Sequence, residues 1–277
     1  SDRVVAFTRT GTFKGAIGRN GEGPGEFRNP VSLLEAVDGT VLVSDVSPRV
    51  TQLTPSIELL DVFTVPEWNR VGRLSWVGEQ IVLFQPSGRS QGDNFHVWSP
   101  ESGLGVAFDQ RSELGLSVPY WNATWTTHLA ASSDQVFVAD NMVYPLRLYS
   151  LGLQFQDTVG SPPPSWRQAR KPEYGEFASS EAQRVGVDEW FRSFDVIDGL
   201  FSVDDRWLIV THRRRVNEYR TDDEIRADVY LLDPDLRKVW EDVRLPGPVL
   251  RGGACAWTMV AHPPKPWTVA CLVPRSP

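Results

Sequence analysis

This sequence of 277 residues is poor in cysteine (2), methionine (2) and histidine (4), and its 28 lysines and arginines are outnumbered by 35 aspartates and glutamates. The net charge of −7 leaves no basic field with which to hold nucleic acid or an anionic membrane. No apolar run approaches the ~18 to 20 residues that a spanning helix needs, so no transmembrane segment is predicted. A Gly-x-Ser-x-Gly elbow, a phosphate-binding loop, a His-Glu-x-x-His pair and paired Cys-x-x-Cys units are all missing, which removes the short signatures of most enzyme classes. A site assembled from separate stretches is not excluded by that.

What the sequence has is β-structure. Short alternating runs at residues 4–8, 12–17, 31–36, 41–45, 50–53 and 59–65 are divided by tight-turn dipeptides such as Thr10-Gly11 and Asp38-Gly39. With little helix, this is the pattern of a sandwich, barrel or propeller, and a hydrophobic fraction of 41% is enough for its core. Residues 20–30 carry three glycines in five positions, with Pro24 to stiffen the crossing and Phe27 as the bulky apolar group available to plug a seam. Glu22 and Glu26 would repel a phosphate, so this stretch reads as a loop between two sheets.

An internal repeat supports the same class. The frame Val-x-x-Leu-x-Pro recurs from Val50, Val229 and Val269, each time after a hydrophobic strand, and two of those strands match each other at 207–212 and 257–262. Looser equivalents at 4–7, 95–98 and 147–149 make six third strands, hence six blades.

The combination Gly-Glu-Gly-Pro-Gly-Glu-Phe (21–27), Asp-Gly-Thr-Val-Leu-Val-Ser-Asp (38–45) and Arg-Val-Thr-Gln-Leu (49–53), echoed at 138–141, resembles the NHL-like six-bladed β-propellers of bacterial secreted and lipid-anchored proteins. The expected fold is therefore all-β, a single propeller domain over residues 1–277 made of four-stranded antiparallel blades. The blades are placed at 3–17, 27–65, 70–109, 125–160, 195–245 and 248–273. The first and last are incomplete, the first contributing only its outer two strands. The chain starts on Ser1 in mid-pattern, and the resemblance implies an N-terminal strand that closes the ring; residues upstream or a partner strand are expected to cover the edges.

Such blades alternate their connections between two faces. Short turns fall on one face, and the glycine loop, residues 109–125, the insertion 161–195 and residues 213–224 fall on the other, which marks that face as the functional one. The insertion opens on Pro162-Pro163-Pro164, and Ser180 with Gln183 suits a capping box for a short helix ending near Phe194. That helix either caps its own propeller or offers Trp166, Trp190 or Phe191 to a partner as an aromatic anchor. Arg213, Arg214 and Arg215 precede an acidic run and read as a solvated hairpin or as a docking patch.

Two constellations could bear chemistry. His128, His212 and His262 approach the long-loop face by alternation and could hold zinc, although each stands alone in sequence. Asp45 and Asp140 follow equivalent strands and could meet a calcium ion, or simply cap their turns. No cofactor is expected otherwise. Cys255 and Cys271 lie symmetrically about residue 263 in one hairpin, a register that predicts a disulfide and an oxidising compartment, with a pair of buried thiols as the alternative. The expected function is a non-catalytic protein-binding or scaffolding propeller on the extracytoplasmic side of a bacterial cell (periplasm or cell surface). It would serve as an accessory subunit of a membrane-associated complex, joined through its long-loop face. The alternative is a metal-dependent lyase or hydrolase at the propeller axis.

Overall fold

The computed structural model describes the chain except residues 1, 9, 37, 66–67, 69, 85–92, 111–125, 171–188, 191, 215–223, 262–267 and 275–277. Two compact units are present, Ser1–Arg111 and Ser112–Pro277.

The first unit begins with a two-stranded sheet of β1 (Val4–Phe7) and β2 (Phe13–Ile17). It is followed by two four-stranded sheets, β3 (Ser32–Glu35), β4 (Val41–Ser44), β5 (Arg49–Leu53) and β6 (Leu59–Thr64), then β7 (Leu74–Val77), β8 (Gln80–Phe84), β9 (Asp93–Ser99) and β10 (Gly103–Gln110). The second unit holds β11 (Thr127–Ala131), β12 (Gln135–Asp140), β13 (Leu146–Ser150) and β14 (Phe155–Val159) in one sheet. The next contains β15 (Asp195–Val203), β16 (Trp207–Arg214), β17 (Glu224–Leu231) and β18 (Lys238–Arg244). Its last sheet has three strands, β19 (Val249–Arg251), β20 (Ala256–Ala261) and β21 (Thr268–Leu272).

Every sheet is an antiparallel meander in chain order. The protein is thus a β-propeller of four-stranded antiparallel blades, with four blades complete, a fifth of three strands, and the separate β1–β2 pair. The count of six blades made above took that pair as a blade of its own. Of the predicted helix in the insertion, the described residues show a helical turn at 189, 190 and 192, and the remainder falls outside them.

Alternation along each second strand explains how the blades pack. On β16, Leu208 and Val210 point into a cluster with Phe137, Leu146, Ile197 and Tyr230, while Trp207 and Ile209 point the other way into a cluster with Val229, Val249 and Ala256. Within the first unit β4 does the same, sending Leu42 toward Leu74, Leu83 and Trp98 and Val43 toward Phe27 and Leu53. The second strands are therefore buried on both faces, and their apolar runs Val-Leu-Val and Trp-Leu-Ile-Val follow from that position.

Phe27 is fully buried, so the seam-plugging role read from the sequence is the one it has. The glycines around it serve one carboxylate. Glu26 accepts hydrogen bonds from the Gly23 amide (2.8 Å) and Arg19 Nε (2.6 Å), and a Cβ at Gly21 would lie 2.0 Å from its oxygen.

Candidate functional site

Because each sheet is a meander, connections alternate between the two ends of its strands. In the first unit one end carries residues 8–12, 36–40, 54–58, 78–79 and 100–102, and the other carries 18–31, 45–48, 65–73 and 85–92. In the second unit the short set is 132–134, 151–154, 204–206, 232–237 and 252–255, and the opposite set includes 160–194, 215–223 and 262–267. Long connections leave from a single end in both.

At that end of the first unit, Asp45 is a structural cap. Its carboxylate accepts from the amides of Arg28 (2.8 Å) and Ser47 (2.9 Å) and is paired with Arg49 (3.3 Å), whose guanidinium also reaches the Glu22 carbonyl. Asp140, at the equivalent place in the second unit, is fully buried and bound by Arg147 at 3.1 and 3.2 Å and by the Thr127 hydroxyl at 3.0 Å. Both carboxylates thus have a guanidinium partner; Asp45 also caps its turn through two amides, while Asp140 is held by a strand hydroxyl.

The most elaborate feature is a strap, residues 160–170, laid over the ends of β15 to β18. The Ser161 carbonyl accepts from Lys238 Nζ (2.8 Å) and the Tyr230 hydroxyl (3.3 Å). Ser165 donates its hydroxyl to Asp242 (2.8 Å), and its carbonyl accepts from Arg214 (2.7 Å). Arg167 grips the buried Asp195 through its amide, Nε and Nη2 at 3.1, 2.9 and 2.6 Å, and Arg214 meets the same carboxylate at 3.3 Å. Two guanidiniums thus converge on one carboxylate and tie the strap to the end of β16.

Beneath the strap lies a buried aromatic and ionic group. The Trp166 ring packs edge-on against Tyr144 (5.2 Å) and His212 (5.4 Å). His212 Nε2 is 3.2 Å from the Tyr144 hydroxyl and 3.7 Å from Asp228, which in turn pairs with Lys238 at 2.9 Å. Burial lowers the His212 pKa to about 4 despite the carboxylates of Asp228, Asp242 and Asp195, so the imidazole is neutral at pH 7. Burial also raises Tyr144 well above the ordinary phenol value and pushes Tyr230 up to about 12. For Lys238 burial works against the charge, but hydrogen bonds with Glu241 and Asp228 outweigh it and hold the ammonium above its usual value.

Trp166 is partly buried and fastens the strap to the blades. Trp190 is 3% exposed, its indole N–H donating to the Arg170 carbonyl (2.9 Å) and its ring packed on Phe194 (4.7 Å). Arg213 pairs with Asp198 at 2.8 Å and Arg214 with Asp195, so these two members of the basic run are neutralised locally. Phe191, Arg215 and His262 lie outside the described residues. His128 is buried in β11 opposite Ala139, and among the described residues no group of three or more histidines, cysteines or carboxylates could hold a metal ion. Cys255 and Cys271 form a disulfide. Sequence reasoning missed Tyr144, Asp195, Asp228 and Lys238. Asp195 and Lys238 open strands, Asp228 is in the middle of β17 and Tyr144 is in the loop before β13; each stands alone in sequence, and only the fold brings them together.

No protein-family model and no curated protein sequence matches the chain. Among solved structures, it is similar to a Bacteroides fragilis protein described as exported, with 13% identity and a TM-score of 0.52 over 84% of this chain and 64% of that one. It is also similar to a catalytically inactive variant of virginiamycin B lyase from Staphylococcus aureus, crystallised with quinupristin, with 8% identity and a TM-score of 0.51 over 93% of this chain and 66% of that one. The chain thus spans just under two thirds of either protein. At these identities the likeness is one of fold. Among the described residues no helix is long and apolar enough to cross a membrane.

Proposed function

We propose that this chain is a non-catalytic, protein-binding or scaffolding propeller that presents its long-connection end to a protein partner. The observation that carries this reading is the asymmetry of the connections, with a strap fixed at that end of the second unit by two arginines on one carboxylate. Rigid placement of exposed polar and cationic groups suits recognition. In this reading the chain is one NHL-like domain over residues 1–277, and β1–β2 is the outer pair of a sixth blade. Its compartment is extracytoplasmic, supported by the disulfide and by likeness to a protein described as exported. A place beside a membrane, as an accessory subunit of a larger complex, completes the proposal.

The test uses bulk placed at one end or the other. Both cysteines are bonded, so a maleimide polymer attached at Gln168→Cys, in the strap, or at Ser133→Cys, in a short turn, is selective. Each labelled protein is then compared as bait in an extracytoplasmic membrane fraction. A partner retained by the Ser133→Cys conjugate and lost with the Gln168→Cys conjugate supports the proposal. Equal retention, or loss only from the short-turn conjugate, overturns it.

A further inference from the structure

The strap differs from the blades in how it is held. Residues 160–170 form no strand. Their backbone meets a sheet directly at the Arg167 carbonyl, which accepts from the Asp195 amide at 2.9 Å. The other contacts described above each use a side chain, and those of Lys238, Asp242, Arg214 and Asp195 are ionisable. Gln168 adds a bond from its side-chain amide to the Met142 carbonyl (3.2 Å). Losing such ties breaks no ladder, so a segment held this way can open while the sheets beneath it stay folded.

Trp166 packs against His212, whose two ring nitrogens have different surroundings. Nε2 faces the Tyr144 hydroxyl at 3.2 Å and Asp228 at 3.7 Å, while Nδ1 is buried with no hydrogen-bond partner among the described residues. A neutral ring suits that place, since it can carry its one proton on Nε2 and leave Nδ1 bare. An imidazolium does not, because its second N–H would be enclosed without an acceptor. The charges that act on the ring come from Asp228 on β17, Lys238 and Asp242 on β18, and Asp195 on β15, with Arg214 on its own strand and the hydroxyls of Tyr144 and Tyr230 close by. Each carboxylate is already engaged by another cation: Asp228 by Lys238, Asp242 by Arg226, and Asp195 by Arg167 and Arg214.

We propose that the strap is an acid-released latch: protonation of His212 lifts residues 160–170 off the ends of β15–β18 as a unit, while the sheets stay folded, and uncovers the Tyr144 and His212 rings. Burial holds this histidine at about 4 under the closed strap, against an ordinary value near 6.5 once water reaches it, so falling pH favours the open form. Between pH 6.5 and 4 this protonation shifts the ratio of open to closed strap by on the order of 100-fold. Burial works against the Asp242 charge, but hydrogen bonds from Ser165 and Arg226 outweigh it and hold the carboxyl below its usual value. Its protonation acts in the same direction, since acid removes the charge that accepts the Ser165 hydroxyl. The latch does not depend on the partner proposed for this end of the unit.

The experiment uses the 277-residue protein and its His212→Phe variant, which keeps a flat ring beside Tyr144 and has no proton to gain. Hydrogen exchange is followed from pH 7.5 to 4, corrected for the intrinsic dependence of exchange on pH. It is read at the Arg167 and Asp195 amides, whose bonds cross between strap and sheet, and at the amides of β16 and β17. The expected result is that protection of the first pair falls at least about tenfold more than that of β16 and β17 by pH 4, returns at pH 7.5, and loses this excess in His212→Phe. His212→Gln, which also has no titrating group, takes the place of that variant if the phenylalanine protein does not fold. Loss of protection in strap and strands together, a strap protected down to pH 4, or the same excess in the non-titrating variant overturns the proposal.

Discussion

Tyr144 and His212 stack with their rings 9° from parallel and their centroids 5.7 Å apart, although they are 68 residues apart in sequence. This pair joins two blades beneath the strap, and it is held with the imidazole neutral. A histidine with a pKa of about 4 in the folded protein and an ordinary value near 6.5 when unfolded binds fewer protons folded than unfolded between those limits. Its contribution to stability is therefore complete above about pH 6.5 and is lost as pH falls toward 4, by a total on the order of 3 kcal/mol. Urea midpoints measured from pH 7.5 to 4 should fall more steeply in the native protein than in His212→Phe, which keeps the stack but has no proton to gain. Parallel profiles would contradict this assignment.

Arg147 is the cation that meets the Asp140 carboxylate. It is fully buried, and Arg147 meets both of its oxygens. Arg147→Met leaves a buried carboxylate with the Thr127 hydroxyl for company, a loss expected at roughly 3 to 5 kcal/mol. Arg147→Met combined with Asp140→Asn removes the uncompensated charge and should recover a substantial part of that loss. Denaturation of the two single variants and the double variant, read as a double-mutant cycle, checks it; simple additivity would mean that the residues do not act as a pair.

The sequence shows the blades more clearly than it shows the site, for a physical reason. Strands such as 41–44 and 207–210 are buried on both faces, so nearly every residue in them is constrained to be apolar, and the glycine or aspartate turns before them need particular backbone angles. Gly11 and Gly39 adopt positive φ at the predicted turns, and Gly78, Asp204 and Asp205 do so in the corresponding turns of other sheets. The disulfide was expected from a register symmetric about residue 263; the bond is there, but the register sets Cys271 opposite Trp257, and Cys255 reaches it from the residue before β20. The cluster around His212 was not legible. Its members come from β16, β17, β18, the strap and the loop before β13, and nothing local in any of these segments announces the others. The aromatic residues picked out as partner anchors, Trp166 and Trp190, were singled out for size, and size is also what a buried fastening needs.

Two glycines of the first unit should respond very differently to the same change. Gly18 has φ of +114°, and a Cβ there would lie 2.6 Å from the Phe27 ring and 2.7 Å from the Asp2 carbonyl. Gly11 has φ of +84° in an exposed turn with no atom within 4 Å of the added carbon. Gly11→Ala should cost only the backbone strain, about 1 to 2 kcal/mol. Gly18→Ala adds displacement of the fully buried Phe27 and should cost clearly more. Thermal denaturation of both variants decides it, and a smaller effect at Gly18 would mean that the ring is not packed as described.

The Cys255–Cys271 bond spans a sequence separation of 16 and ties the residue before β20 to β21. By the chain-entropy argument, closing a loop of this size stabilises the folded state by about 3 kcal/mol. Free-thiol titration of denatured, unreduced protein should find no reactive group, and reductant should lower the urea midpoint of the native protein while leaving Cys255→Ala/Cys271→Ala unchanged. The loss should also be local. These strands form the three-stranded sheet at the end of the second unit, so reduction should raise hydrogen exchange in β20 and β21 before it affects the four-stranded sheet β11–β14. Two reactive thiols, or loss of protection that starts in β11–β14, would contradict the role assigned to this bond.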